Sequence, residues 1–219
     1  MSTRVPDYKE ALEHLPTGAT LVFEDVSWEE YEELLDELAH RPGCRVTYDE
    51  GKLQIMSPRP EHEKSKRVIE RIIDTISDEL DVNVEPFGST TWKRKPDKGA
   101  EGDTCYYVAN AEHIIGKEDI DITKDPPPDL LVEIDSTNES VDKFGIYAAF
   151  GIPEIWRYNV KRNRFHMYSL KEGKYIEISA SLSFPVLTPD VLVEFIDLSK
   201  THGQKKALAA FRQWLKKSH

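Results

Sequence analysis

Pro126-Pro127-Pro128-Asp129-Leu130-Leu131-Val132-Glu133-Ile134-Asp135 is the stretch that decides how this chain folds. The prolines close a loop, and a short run of Leu, Val and Ile then reads as a central strand buried on both faces. Glu133 and Asp135 share one face of that strand, because side chains alternate along it. Asp129 has the same parity but lies about four strand steps, roughly 13 Å, from Glu133, and it is also well placed to terminate the loop. Upstream, Gly99-Ala100-Glu101-Gly102-Asp103-Thr104-Cys105-Tyr106-Tyr107-Val108 sets another acid, Asp103, on a strand-like stretch. Carboxylates on neighbouring strands can converge on a divalent cation. Oxygen donors suit Mg²⁺ and Mn²⁺, the ions that assist phosphoryl transfer. A lysine nearby would complete a nuclease-like site, and Lys143 follows ten positions after Glu133.

The flanking elements are legible in both directions. Ser27-Trp28-Glu29-Glu30 has capping-box spacing, and Tyr31, Leu34, Leu35 and Leu38 recur at helical intervals, so a helix runs until Pro42-Gly43 stops it. Arg45 to Tyr48 and Lys52 to Met56 flank a turn near Asp49-Glu50-Gly51. A longer helix, about Glu61 to Leu80, carries Ile69, Ile72, Ile73, Ile76 and Leu80 as its apolar stripe. His62, two turns before Ile69, points the same way. Val82 to Arg94 is expected as one long strand bent at Pro86 and Gly88, with a turn at Asp97-Lys98-Gly99 and Asp103 to Val108 as the returning strand. Residues 109–125 form a loop with a short helical turn. A helix from about Glu139 ends at Phe150, before Gly151. Strands follow at Glu154–Val160, Arg164–Leu170 and Lys174–Ile178, and a terminal helix at Gln204–Lys217. The order predicts one α/β domain over residues 1–219 with a mixed sheet, its core at about 43–160 and the later strands and helix at 161–219.

Composition bounds the function. A chain of 219 residues can bury one substantial core. No run of about 18 apolar residues occurs, so no membrane span is expected. The N-terminal residues lack a signal-peptide apolar core, and the two cysteines, Cys44 and Cys105, are too few for a disulfide framework and give no zinc spacing; a reducing cytoplasm is the expected location. Both cysteines are expected to be small buried hydrophobes. The net charge of −11 argues against a broad basic face for nucleic acid but leaves room for a local one. Three basic clusters stand out: Lys64, Lys66, Arg67 and Arg71; Lys93, Arg94, Lys95 and Lys98; Lys161, Arg162 and Arg164. Trp92, Tyr106, Tyr107, Tyr147, Trp156 and Tyr158 are expected to pack the core rather than stack on bases.

In their shared order, several pieces of the chain resemble the restriction-endonuclease-like PD-(D/E)XK fold, and more specifically the Uma family of bacterial endonucleases. They are Tyr48-Asp49-Glu50-Gly51-Lys52-Leu53-Gln54-Ile55-Met56-Ser57-Pro58, His62, Gly88-Ser89-Thr90-Thr91-Trp92, Glu101-Gly102-Asp103, Pro127 to Ile134, Lys143, Tyr147, and Gly151-Ile152-Pro153-Glu154-Ile155-Trp156. The likeness covers about residues 20 to 195. It implies a mixed β-sheet flanked by helices, with an α-β-β-β-α-β core. It also implies that Asp103 matches the Asp of the Pro-Asp motif, that Glu133 matches the second acid, and that both bind metal. Gly102 stands where the family usually has Pro, which is expected to matter for backbone only. Asp135 stands where the Lys of Glu-x-Lys would be, and Lys143 on the following helix is the substitute the family pattern suggests.

The implied activity is endonuclease cleavage of DNA with Mg²⁺ or Mn²⁺. Asp135 is then an extra ligand or holds Lys143 by charge pairing, Lys143 orients the attacking water, and Lys93 is the second choice for that role. His62 contacts a metal-bound water or an acidic ligand. Glu101 reads as a strand-edge charge rather than a ligand. The alternative is a catalytically inactive module of the same fold that binds nucleic acid or protein. A homodimer through Leu208, Phe211, Trp214 and Leu215 is one fate for the terminal helix, and folding back on its own sheet is the other.

Overall fold

Ser27 and Glu30 exchange the two bonds of a capping box, Ser27 N–H to Glu30 Oε2 at 2.7 Å and Glu30 N–H to Ser27 Oγ at 3.2 Å. Such a cap contributes about 1 kcal/mol, and helix α1 (Trp28–Leu38) starts from it. The structure, a computed structural model, describes residues 15–38, 43–135 and 143–218. The expected stop at Pro42-Gly43 and the first turn of the helix expected from Glu139 fall partly outside these residues.

The strands are β1 (Thr20–Phe23), β2 (Arg45–Asp49), β3 (Lys52–Met56), β4 (Glu85–Gly88), β5 (Thr91–Arg94) and β6 (Lys98–Glu101). They continue with β7 (Thr104–Tyr107), β8 (Leu130–Asp135), β9 (Glu154–Asn159), β10 (Arg164–Lys171) and β11 (Lys174–Ile178). They form two sheets, one ordered β1-β3-β2-β6-β5 and the other β11-β10-β9-β8-β7-β4. The first is antiparallel throughout, and α1 packs Trp28, Tyr31 and Leu34 against its Val46, Tyr48, Leu53 and Ile55. Gly99 permits this closure, since a Cβ there would stand 2.1 Å from the Tyr31 hydroxyl.

The second sheet is mixed, with β8 and β9 parallel and its other pairs antiparallel. Helix α2 (Pro60–Leu80) covers one face together with α5 (Pro189–His202) and α6 (Gln204–Ser218). There Ile69, Ile72, Ile73 and Ile76 meet Leu130, Val132, Ile134 and Trp156, with Phe195, Leu208, Phe211 and Leu215 behind them. The opposite face carries α4 (Lys143–Phe150), whose Ile146, Tyr147 and Phe150 meet Leu131 and Ile155. Alternate residues of β8 therefore serve two cores, which is why all six are buried. Each large aliphatic buried in this way contributes about 1.5–3 kcal/mol. The short helix α3 (Ala111–Ile114) lies in the expected loop.

Three sequence expectations are corrected. The single strand over Val82–Arg94 is two strands, β4 and β5, that belong to different sheets. Gly88, at φ +58, lets the chain turn out of one sheet and into the other. The partner that returns alongside β5 is β6, which begins at Lys98, a position expected in the turn. The stretch expected as that partner becomes β7, paired with β4 and β8, and Asp103 lies just outside it. Finally, β1 and α5 go beyond the expected order. β1 is a four-residue edge strand, too short to show a period. α5 is rich in Val, Ile and Phe, which masks its helical period, although Thr188 accepts from Val191 N–H at 3.3 Å with Pro189 next in line, a helix-start signal visible in the text. The terminal helix folds back on its own chain: Leu208, Phe211 and Leu215 are buried in the core, and Trp214 packs half-buried against it.

Candidate active site

The chain crosses between the two sheets at residues 102–103, and the acidic cluster forms at that crossing. Asp103 N–H donates to the Val132 carbonyl at 3.2 Å, and Ile134 N–H donates to Asp103 Oδ2 at 2.7 Å. A side-chain oxygen thus takes a strand donor where the β7–β8 ladder ends, and it locks Asp103 against the residues on either side of Glu133. Glu101, Asp103 and Arg45 meet because β6 ends beside β2. Arg45 donates to Glu101 Oε1 at 2.9 Å and to Asp103 Oδ1 at 3.5 Å. His62, in the first turn of α2, brings Nε2 to 3.4 Å from Asp103 Oδ2. That contact is close but not aligned as a hydrogen bond, and both ring nitrogens are buried without a hydrogen-bond partner among the described residues.

Glu133 is held from the other side. Lys143 Nζ lies 3.2 Å from each Glu133 oxygen and 3.4 Å from the Glu101 carbonyl. Tyr147, one helical turn further along α4, donates its hydroxyl to Glu133 Oε1. Exposures of 1% for His62, 2% for Asp103, 4% for Lys143 and 5% for Glu133 put the whole cluster out of bulk water, where charge interactions are strongest. Burial raises the Glu101 carboxyl above its ordinary range, against the opposing pull of Arg45 and Lys143.

The remaining candidates divide. Asp135 does not hold Lys143. Its Oδ2 takes the guanidinium of Arg157 on β9, while Oδ1 is buried with no hydrogen-bond partner among the described residues. Parallel pairing of β8 with β9 puts a cation closer to Asp135 than the helix can. Lys93 points away from the cluster, 3.6 Å from Glu32 of α1. Asp129 terminates the loop: it accepts from Val108 N–H at 2.8 Å, Asn110 N–H at 2.9 Å and Asn110 Nδ2 at 2.7 Å. Glu101 is more than a strand-edge charge, since it shares Arg45 with Asp103. Gly102 answers to a side chain as well as to the backbone, because a Cβ there would lie 2.9 Å from the Leu131 side chain. The six singled-out aromatics are all buried, and burial pushes the Cys105 thiol up to about 12, as expected for a core cysteine.

Sequence reasoning missed Arg45 and Arg157 and assigned Tyr147 no contact with Glu133. The position of Tyr147, four residues after Lys143, was a usable signal, since i and i+4 share a helix face. Nothing local marks Arg45, which reaches Asp103 across 58 positions.

The donor set suits a hard divalent cation. Mg²⁺ typically takes one or two protein carboxylates and fills its shell with water and phosphate oxygens, so Asp103 and Glu133 would be a sufficient protein share. Among the described residues no three His, Cys, Asp or Glu side chains converge as a ligand group, and no helix is long and apolar enough to cross a membrane.

Comparison with known proteins supplies a family and a fold. A family described as Uma2, putative restriction endonuclease, matches residues 28–201. Among solved structures, a putative nuclease belonging to DUF820 from Anabaena variabilis superposes with a TM-score of 0.51 at 17% identity, covering 78% of this chain and 99% of that one. At that identity the likeness establishes the fold, which is restriction-endonuclease-like. No curated protein matches the sequence.

Proposed function

The chain belongs to the Uma2 family of restriction-endonuclease-like proteins, and we propose that it is a metal-dependent endonuclease that hydrolyses phosphodiester bonds of DNA at the cluster of Asp103, Glu133 and Lys143. The observation that carries this reading is the buried Lys143 ammonium, 3.2 Å from both oxygens of Glu133. A lysine beside a buried acid on a neighbouring strand end is the constellation phosphodiester hydrolysis needs: negative charge to hold a cation, and fixed positive charge where the phosphate gains negative charge.

Asp103 and Glu133 would hold Mg²⁺ or Mn²⁺, which supplies charge neutralisation and an activated water. The chain's own residues do the rest. Lys143 adds a preorganised positive charge beside the scissile phosphate and orients the attacking water. Tyr147 fixes the rotamer of Glu133 by donating to Oε1. Ile134 N–H and Arg45 hold the Asp103 carboxylate in one orientation. His62, beside Asp103, can hold or pass a proton at Nε2. Arg157 keeps Asp135 engaged on β9.

Incubation of the purified protein with single- and double-stranded DNA in Mg²⁺ or Mn²⁺ tests this reading. Cleavage is expected, with loss in both Asp103→Ala and Glu133→Ala; cleavage that persists in either variant overturns the assignment. A second reading, a binding module without hydrolysis, draws on the net charge of −11 and on Asp135 standing two positions after Glu133. Calorimetric titration with Mn²⁺ separates the two, since binding that disappears in Glu133→Ala speaks against an inert module.

A further inference from the structure

Many basic side chains of this acidic protein sit beside an acid. Lys93 and Lys95 face Glu32, Lys66 and Arg67 face Glu70, and Lys98 faces Asp49. Lys161, Arg162 and Arg164 place three cations within four positions. They are exposed on the turn between β9 and β10, and no acidic side chain engages them among the described residues.

Topology places that turn at the candidate site's end of the sheet. β9 runs parallel to β8, with Asn159 beside Asp135, and Val160 N–H donates to the Asp135 carbonyl at 2.9 Å. The chain therefore leaves the sheet for the turn from the same end at which Glu133 and Asp103 lie. The turn is also rigid. Asn163, at φ +50, accepts from the Tyr158 hydroxyl at 2.7 Å and from Lys200 Nζ at 2.9 Å, and donates to Asp197 at 2.6 Å. Arg162 N–H adds a bond to Asn159 Oδ1 at 2.8 Å. Four polar partners thus hold a loop whose three neighbouring cations have no acidic partner among the described residues. Holding charges rigid in solvent brings little to stability, as exposed pairs and charges are worth at most about 1 kcal/mol, but it favours binding of an external anion by lowering the ordering cost.

We infer that the β9–β10 turn is a backbone clamp for nucleic acid: Lys161, Arg162 and Arg164 contact successive phosphates of DNA and hold the strand across the end of β8. This rests on the nuclease reading and adds to it the surface that brings substrate to an otherwise repulsive protein. The contacts are to phosphates rather than base edges, so they confer affinity without sequence preference.

Fluorescence anisotropy of the full chain with a labelled DNA duplex, metal chelated and salt varied, tests the clamp. The Lys161→Gln/Arg162→Gln/Arg164→Gln variant is expected to bind more weakly at low salt. Its plot of log affinity against log salt should be shallower by about one for each residue removed, with equal losses for duplexes of unrelated sequence. The single Arg162→Glu reversal, which leaves the Asn163 network in place, should shift affinity in the same direction. Unchanged affinity and slope in both variants overturn the clamp, as does a wild-type protein that fails to bind the duplex. Cleavage in Mg²⁺ is scored separately: a wild type that cuts while the variants bind normally sinks the clamp and leaves the nuclease reading standing.

Discussion

The Glu133 half and the Asp103 half of the candidate site are built in different ways. Glu133 takes its partners from the next element in the chain, Lys143 and Tyr147, at separations of 10 and 14 positions. One strand and one helix suffice to place them. Asp103 takes Arg45 from the other sheet, 58 positions away, and His62 from the start of α2. That half exists only where two sheets dock, so it should respond to anything that loosens their junction, whereas the Glu133 half should respond mainly to changes in its own side chains.

The largest expected effect would break this division. Asp103→Asn and Glu133→Gln, which keep shape but remove charge, should each reduce metal-dependent DNA cleavage to background, because both halves must be charged for the proposed site to hold a cation; a gel-based cleavage assay scores both. Next, Lys143→Ala should lower the cleavage rate about 10²–10³-fold, the scale of losing one preorganised donor. Lys93→Ala should leave the rate unchanged, and equal losses in the two variants would reverse the assignment of the lysine.

Stability sharpens the contrast further. Arg45→Ala leaves the buried Asp103 and the half-buried Glu101 without their shared cation and should cost about 3 kcal/mol in denaturant unfolding. Tyr147→Phe, which removes one charge-assisted bond within the local half, should cost about 1.5–3 kcal/mol at most. If Tyr147→Phe is the more damaging of the two, the docked half is not the fragile one.

The smallest effect concerns pH. Burial raises the folded-state pKa of Glu101 above its ordinary 4.5. The folded state therefore holds the Glu101 proton more tightly than the unfolded chain does, and the associated stability is full below pH 4.5 and is lost as pH rises through the raised value. In Glu101→Gln the fall in unfolding free energy over that window should be shallower, as measured by urea titrations at stepped pH.

How far each part could be read from the text follows the same line. β8, α2, α4 and the β9–β10–β11 run each carry a complete periodic signal and appear close to where the pattern puts them. The Asp103–Glu133–Lys143 constellation was visible as residue types at strand ends and on the next helix. The strand over 82–94 was misread because strand-favouring residues, Val82, Val84, Phe87, Thr90, Thr91 and Trp92, recur along it, and Pro86 and Gly88 read as a bend within one strand rather than as a change of sheet. Arg45 was invisible because an arginine that opens an edge of a hairpin looks like any solvated charge.

By itself, the sequence determined the elements and the acidic strand ends, since local periodicity and turn chemistry act over a few residues. Only the tertiary structure decided which cation each acid receives: Lys143 for Glu133, Arg157 for Asp135, Arg45 for Asp103 and Glu101. Those choices depend on strand order and register, and a register is selected by burial across the whole sheet, where many apolar contacts summed over distant segments outweigh any single charge pair.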